Sequence, residues 1–251
     1  MMLQRTAALR SPILTLGAIL IALAAVFAPP HPAAAVAQAN APTMPHHFHD
    51  ANRWAKVFES PERAKWQKPG QVVAALKIKP GQSVADIGAG TGYFTRRFAA
   101  AVGSTGEAIG LDIEPAMVAY MKQDAARRHL KNYTARVSQP EDARLAPHSV
   151  NLIFFCDVYH HIPDRIAYLK KLAPALRPDG RIALIDFHHA APVGPPAKIR
   201  IPRTQAIAEF REAGYRLTGS HDFLPYQYFL EFQPVGANTQ SGAAGGGAQA
   251  H

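Results

Sequence analysis

The sequence predicts an α/β fold: a seven-stranded, mostly parallel sheet with helices on both faces and an antiparallel strand pair at its C-terminal end. Three observations predict it. Short runs rich in Val and Ile alternate with segments of helical spacing between residues 83 and 187. Several of these runs are apolar at consecutive positions, as strands buried on both faces are. After Phe187 the alternation gives way to one helical segment and two strand-like runs with Pro225 between them. Strand–helix repetition of this kind builds a doubly wound sheet.

The five parallel strands are expected at 83–88 (SVADIG), 107–113 (EAIGLDI), 133–137 (YTARV), 150–157 (VNLIFFCD) and 181–187 (RIALIDF). Helices are expected at 93–102, 115–130 and 163–176. Pro115 and Pro163 stand where a first helical residue belongs, because a missing N–H costs nothing there. A fourth helix is expected at 204–214, closed by Gly214, before the strand pair 215–223 and 226–233. In the second of these, Tyr226, Tyr228, Leu230 and Phe232 alternate against Gln227, Glu231 and Gln233, with Phe229 the apolar exception. Residues 40–80 are helical and aromatic in pattern and are expected to form a cap or lid ahead of the first strand.

The ends differ from the middle. Residues 1–39 carry Arg5 and Arg10, no acidic residue, an apolar run from Ile13 to Ala28, and small residues at Ala37 and Ala39. A basic start, an apolar core and an A-x-A-like site describe an export signal cleaved after Ala39. The alternative is an uncleaved membrane anchor through residues 13–28, although sixteen residues fall short of the roughly 20 that span a bilayer. Residues 234–251 are rich in Gly and Ala and bury too little apolar surface to offset their chain entropy, so a disordered tail is expected. The middle, 81–233, is one domain. Of 251 residues 48% are hydrophobic, and the net charge is +9. The basic residues are scattered, which argues against a nucleic-acid partner. The single cysteine, Cys156, rules out an internal disulfide and a cysteine-rich zinc site.

The most specific feature is VADIGAGTGYFT (84–95). A strand ends in Asp86, Gly88, Gly90 and Gly92 follow at every second position, and a helix opens beyond. Glycines there allow close backbone approach and positive φ, and the helix start presents free N–H groups. A dinucleotide loop, G-x-G-x-x-G, would need glycine where Tyr93 stands, and no G-K-[ST] follows for a P-loop. The D-x-G-x-G-x-G pattern resembles the first motif of class I S-adenosylmethionine-dependent methyltransferases, which have a Rossmann-like fold. GLDIEP supports the resemblance, with Asp112 20 residues after Gly92. The resemblance extends over about residues 70–233 and looks closest to the ubiquinone-biosynthesis-like and general small-molecule branch.

The resemblance implies S-adenosylmethionine as cofactor, held by Asp86, Gly88, Ala89, Gly90 and Gly92, with Asp157 at the end of the fourth strand a further contact. Asp112 would take both ribose hydroxyls, since a carboxylate accepts two hydrogen bonds at once. Ile113 would pack on the adenine, and Glu141 or Asp142, in a register uncertain by one, would lie near its amino group. Two departures are Asn151, where the family commonly has Asp, and Asp179, where it commonly has Gly.

Methyl transfer from a sulfonium is a direct displacement, so the protein chiefly aligns the reactants and excludes water. The residues leaving strands four and five bear on the chemistry: Asp157, Tyr159, His160 and His161 from one, Asp186, His188 and His189 from the other. His160 is the first candidate for a general base, oriented by Asp157 or Asp186, with Tyr159 also near. A divalent metal held by these His and Asp residues is the alternative, and plain substrate lining is a third. His46, His47 and His49 read as surface residues. Tyr93, Trp54, Trp66, Tyr226 and Tyr228 are candidates to line the acceptor site.

The leading functional reading is therefore a methyltransferase for a small-molecule or lipid-like acceptor. The competing one is an exported, non-catalytic binding or scaffolding protein on the same fold, since free cofactor is scarce outside the cytoplasm. A nucleic-acid methylase would carry an Asn/Asp-Pro-Pro-Tyr/Phe loop after strand four, and this chain has DVYHHIP.

Overall fold

The structure, a computed structural model, describes residues 50–236. The signal or anchor segment, His46, His47, His49 and the tail beyond Gly236 lie outside the described residues. Among the described residues no helix is long and apolar enough to cross a membrane.

Seven strands form one sheet in the order β3-β2-β1-β4-β5-β7-β6. They are β1 (Ser83–Ile87), β2 (Glu107–Asp112), β3 (Tyr133–Val137), β4 (Val150–Cys156), β5 (Leu176–Phe187), β6 (Tyr215–His221) and β7 (Gln227–Pro234). The first five are mutually parallel, and β7 runs antiparallel to both β5 and β6. The predicted sheet is the observed one.

Alternation along the strands builds two apolar layers. Ile87, Leu111, Ile153, Phe155 and Leu184 face the helices α6 (Arg165–Leu172) and α7 (Arg203–Glu212). Val84, Ala108, Leu152, Phe154 and Ile185 face α3 (Pro69–Ala75), α4 (Thr95–Val102) and α5 (Pro115–Arg127). Phe154 is gripped by Phe94 and Phe98, with ring centroids 4.9 Å away in each case. The predicted cap resolves into α1 (Ala51–Phe58), α2 (Pro61–Gln67) and α3. Asp50 and Ser60 cap the first two by accepting from Arg53 N and Arg63 N. The third is not lid: Val72 and the following Leu76 are fully buried in the core.

Several element ends differ from expectation for local reasons. Pro163 is not the first residue of α6. Asp164 caps that helix by accepting from Ala167 N, which sets the start at Arg165. The same helix stops at Leu172 rather than 176, because Pro174 has no N–H to continue it and a 3-10 turn follows. β5 begins at Leu176, five residues early, through an irregular pairing with β4. β7 runs to Pro234, one residue into the predicted tail. Asn151 accepts from Ser83 N and from Arg177, so that departure from the family pattern ties strand ends together far from the glycine loop.

Tyr159 is a correction. It was a candidate for the site, but its side chain is fully buried in the α6–α7 layer, where its hydroxyl donates to Glu209 at 2.6 Å. Glu209 also accepts from Arg165 (2.7 and 2.8 Å) and Gln205 (2.8 Å). Burial alone would raise its pKa, yet Arg165, Tyr159 and Gln205 together hold it below the usual range. This cluster pins α7 to α6. Glu209→Ala leaves a buried guanidinium and a buried hydroxyl unpaired and is expected to cost about 3–5 kcal/mol, read as a lowered urea midpoint. A change within about 0.5 kcal/mol, the range of ordinary surface substitutions, would remove the cluster from the stability of the fold.

Candidate functional site

In an open parallel sheet, ligands bind beyond the carboxyl ends of the strands where the strand order reverses. Here that point lies between β1 and β4, and the chain places the glycine loop there. Gly88, Gly90 and Gly92 all have positive φ, at 65°, 56° and 77°. Two of the three are also demanded by packing. A Cβ on Gly88 would meet Val158 at 2.2 Å, and one on Gly92 would meet the Tyr133 hydroxyl at 1.8 Å. The end of β2 fastens the loop: Ala89 N donates to Leu111 O at 2.9 Å, and Gly90 N to Asp112 Oδ2 at 2.8 Å. The other Asp112 oxygen accepts from Glu114 N at 3.0 Å.

Beside the loop opens a cavity of about 550 Å³. Its floor is Asp86 with Gly88–Thr91, Tyr93 and Phe94. Trp54, Val57 and Phe58 of α1 and Arg63 and Trp66 of α2 cover it. Asp157, His160, His161, Phe187 and Val193–Pro196 form the far wall. α1 and α2 thus cover the cavity. The cover is latched by polar contacts. Arg63 donates to Asp157 at 3.2 Å and to Phe58 O at 3.0 Å, and Glu59 pairs with Arg96 at 3.0 Å. Gln67 bonds Gln227 at 2.6 Å and the Cys156 sulfur at 3.2 Å.

Three carboxyl groups line or adjoin this crevice, and burial raises the pKa of each. Asp86 rises to about 7 against the pull of the Thr95 hydroxyl, which donates to it at 2.6 Å, and of Arg63. Asp112 rises to about 6 despite the N–H groups of Glu114 and Gly90. Asp157 rises to about 6 despite Arg63. It also accepts from Gln227 and holds φ +61°, uncommon for a residue other than glycine.

Of the two candidate partners for His160, the structure chooses Asp186. His160 Nδ1 lies 3.0 Å from both Asp186 oxygens, while Asp157 is committed to Arg63 and Gln227. Asp186 is fully buried and fixed by two backbone donors, Phe187 N at 2.8 Å and His160 N at 3.2 Å. Burial would lower the His160 pKa, but Asp186 and then Asp157 raise it above the usual value. Nε2 of this ring has no hydrogen-bond partner among the described residues.

Other candidates are elsewhere. His188 and His189 are exposed beyond β5 and line no part of the cavity: both backbone carbonyls accept from Arg200, His188 N donates to Tyr226 O, and the His188 ring lies edge-on to Tyr228. Among the described residues no group of three or more His, Cys, Asp or Glu side chains could hold a metal ion. Trp54, Trp66 and Tyr93 line the cavity. Tyr228 does not: it is buried, with its hydroxyl donated to Ile201 O at 3.1 Å. Tyr226 touches Trp66 without being part of the lining (centroids 6.2 Å). Glu141 and Asp142 sit exposed on the turn after β3, outside the cavity, and Asp142 accepts from Arg144 N at 2.7 Å. Ile113, beside Asp112, is 52% exposed. Cys156 is buried, with its pKa raised well above normal by burial, and is no nucleophile. Sequence reasoning missed Arg63, Gln67 and Gln227, whose partners lie 94 and 160 residues away.

Residues 78–211 match a family model described as a methyltransferase domain, which is more than half of the chain. The chain belongs to that family, the class I S-adenosylmethionine-dependent methyltransferases. It is a methyltransferase domain with S-adenosylmethionine as its cofactor. It is 29% identical over 123 residues to an arsenite methyltransferase of Halobacterium salinarum, covering 49% of this chain and 32% of that protein. It is 32% identical over 119 residues to the nocamycin O-methyltransferase of Saccharothrix syringae, covering 47% and 41%. The matches thus span under half the length of these two curated relatives. The fold matches the crystal structure of a SAM-dependent methyltransferase from Aquifex aeolicus, with a TM-score of 0.70, 23% identity and coverage of 74% of this chain and 99% of that one.

The raised carboxyl groups predict how stability varies with pH. Asp86 binds its proton more tightly folded (about 7) than unfolded (3.8). Its contribution is therefore fully present below about pH 4 and is lost as pH rises through about 7. Asp86→Asn keeps an acceptor for Thr95 and removes that loss. The melting temperature of the variant relative to the natural chain should be higher at pH 8 than at pH 5. Equal differences at both pH values would contradict burial as the cause.

Proposed function

We propose that this methyltransferase domain acts on a small, flat or lipid-like acceptor whose accepting group carries an ionisable proton. The observation that carries the reading is the His160–Asp186 pair: His160 lines the cavity beside the glycine loop, whose wall also includes Trp54, Phe58, Trp66, Tyr93, Phe94 and Phe187, and Asp186 backs it from behind. The cofactor supplies a methyl group already activated on a positively charged sulfur. The residues present fit it. Asp112 keeps lone pairs beyond those used by Gly90 and Glu114, as two ribose hydroxyls require. Ile113 offers exposed apolar surface beside it for the adenine. Asp86 and Asp157 are buried acids whose ionised form a cationic ligand would favour. Thr91 Oγ1 and the Tyr93 hydroxyl, both in residues of the cavity wall, are buried without a hydrogen-bond partner.

With its Nδ1–H donated to Asp186, His160 holds the tautomer that leaves a lone pair on Nε2. That nitrogen takes the acceptor's proton, and Asp186 stabilises the imidazolium that forms. The lid of α1 and α2 excludes water and holds the acceptor against Phe187 and Trp66. The relatives' names point to small acceptors. A thiophilic acceptor such as arsenite suits this chain poorly, since soft ions call for a set of thiolates and the only cysteine is buried.

The test is titration calorimetry with S-adenosylmethionine alongside turnover on a panel of phenols and enols. Asp112→Ala should weaken cofactor binding by about 1.5–3 kcal/mol, the loss of a charged acceptor. His160→Ala should leave that affinity unchanged and slow turnover about 10²–10⁴-fold. In the natural enzyme the rate should climb with pH as His160, its pKa raised, loses its proton. Cofactor binding without turnover on any acceptor would favour the scaffolding alternative, and normal turnover in His160→Ala would end the base role.

We further propose that the domain is exported, or held at a membrane by residues 13–28. Support comes from the basic start, the apolar run and the small residues at Ala37 and Ala39. Cell fractionation with mass measurement of the recovered chain tests it. A soluble periplasmic or secreted form beginning at Asn40 is expected for a cleaved signal, and an intact chain in the membrane fraction for an anchor. An intact chain in the cytoplasm contradicts both.

A further inference from the structure

We infer that Arg200 is a positioning residue for the acceptor wall of the cavity. Segment 188–196, HHAAPVGPP, leaves β5 and supplies Val193, Gly194, Pro195 and Pro196 to that wall. It belongs to no strand or helix, and three of its nine residues are prolines that donate no hydrogen bond. Its own backbone bonds are few: His188 N to Tyr226 O, Ala191 N to His188 O and, at its end, Ile199 N to Pro196 O.

One guanidinium supplies what the segment lacks. Arg200 Nε donates to Pro195 O at 2.8 Å and Nη2 to Val193 O at 3.0 Å. Nη1 is shared among His188 O (3.1 Å), His189 O (2.9 Å) and Ala191 O (2.6 Å). Five carbonyls of an irregular loop thus converge on one planar fork. The fork also lies 5.8 Å from the Phe187 ring centroid. The loop is drawn flush onto that ring: Gly194 has φ +93°, and a Cβ there would stand 2.6 Å from the Phe187 ring. Phe187 in turn meets Trp66 of the lid at 5.8 Å between centroids. Arg200 therefore preforms the surface on which an apolar acceptor rests, without touching the glycine loop. Lysine cannot replace it, since an ammonium has three donors and no fork.

The inference rests on the cavity being the acceptor site, and its test separates the two ideas. Amide exchange over residues 188–200 is measured in the natural chain, Arg200→Ala and Arg200→Lys, without ligand. Affinity is then measured for S-adenosylhomocysteine and, in its presence, for 2-naphthol, a flat apolar probe with one ionisable hydroxyl. Arg200→Ala should speed exchange of the His188 and Ala191 amides tenfold or more and weaken 2-naphthol at least tenfold. S-adenosylhomocysteine should bind within twofold of the natural chain, and Arg200→Lys should show the same split, smaller. Should the alanine variant not fold, the lysine variant decides. Unchanged exchange overturns the inference, as does an S-adenosylhomocysteine affinity that falls in step with that for 2-naphthol. Failure of the natural chain to bind 2-naphthol counts against the proposed acceptor class, and exchange with S-adenosylhomocysteine affinity still decides the role of Arg200.

Discussion

The carboxylate of Asp112 is the fixed point from which the rest of the site is laid out. It stands at the end of β2 and holds the Gly90 N–H with one oxygen and the Glu114 N–H with the other. Alone, a loop with three residues at positive φ would be an ensemble. Tied to β2 through Asp112 and through Leu111 O, it becomes a rigid floor. Everything around it then has a place. Asp86 sits beneath the loop with Thr95, Phe58 of the lid comes within 3.4 Å of where a Gly90 side chain would begin, and β4 delivers Asp157 and His160 alongside. The same carboxylate that orders the loop keeps acceptor capacity to spare, the capacity on which the proposed ribose contact draws.

This arrangement sets stability against function in one small region. Asp86, Asp112 and Asp157 are taken out of water, and all three resist ionisation as a result. The fold tolerates them because each has donors: a hydroxyl for the first, backbone N–H groups for the second, a guanidinium and an amide for the third. The lid contributes one of those donors, Arg63, which also stacks 4.5 Å from the Tyr93 ring centroid. Closing the cover and neutralising a buried acid are thus one event. By contrast, the Glu209 cluster on the opposite face spends the same chemistry on packing alone, with Arg165, Gln205 and Tyr159 satisfying a single carboxylate.

What was legible in the sequence follows from which interactions are local. The five parallel strands, the helices between them and the glycine loop all announce themselves through period, caps and spacing, and their order was enough to suggest the family. Errors at element ends came from competition between neighbours: Asp164 outbid Pro163 as the start of α6, and Pro174 ended it early. The site was legible where a residue's partner is set by the strand it leaves, as with His160 beside β5. It was not legible where the partner comes from a distant segment. Nothing near Arg63 or Gln67 signals Asp157 or Gln227, and nothing near Tyr159 shows that it faces Glu209 rather than the cavity. Period-two alternation decides a strand's faces, but Tyr159 lies in a 3-10 turn past the strand, where that rule lapses.

Among the described residues, the last strand in sequence is not the last strand in the sheet. β7 lies between β5 and β6, so until residues 227–234 are made, β5 presents an open apolar edge and β6 has no neighbour to pair with. The same strand opens with Gln227, which reaches Asp157 and Gln67. During synthesis, then, sheet closure and latching of the lid are both deferred to the final stretch of the domain. A nascent chain stalled short of Gln227 is committed to neither, and a truncation there removes the keystone rather than an end.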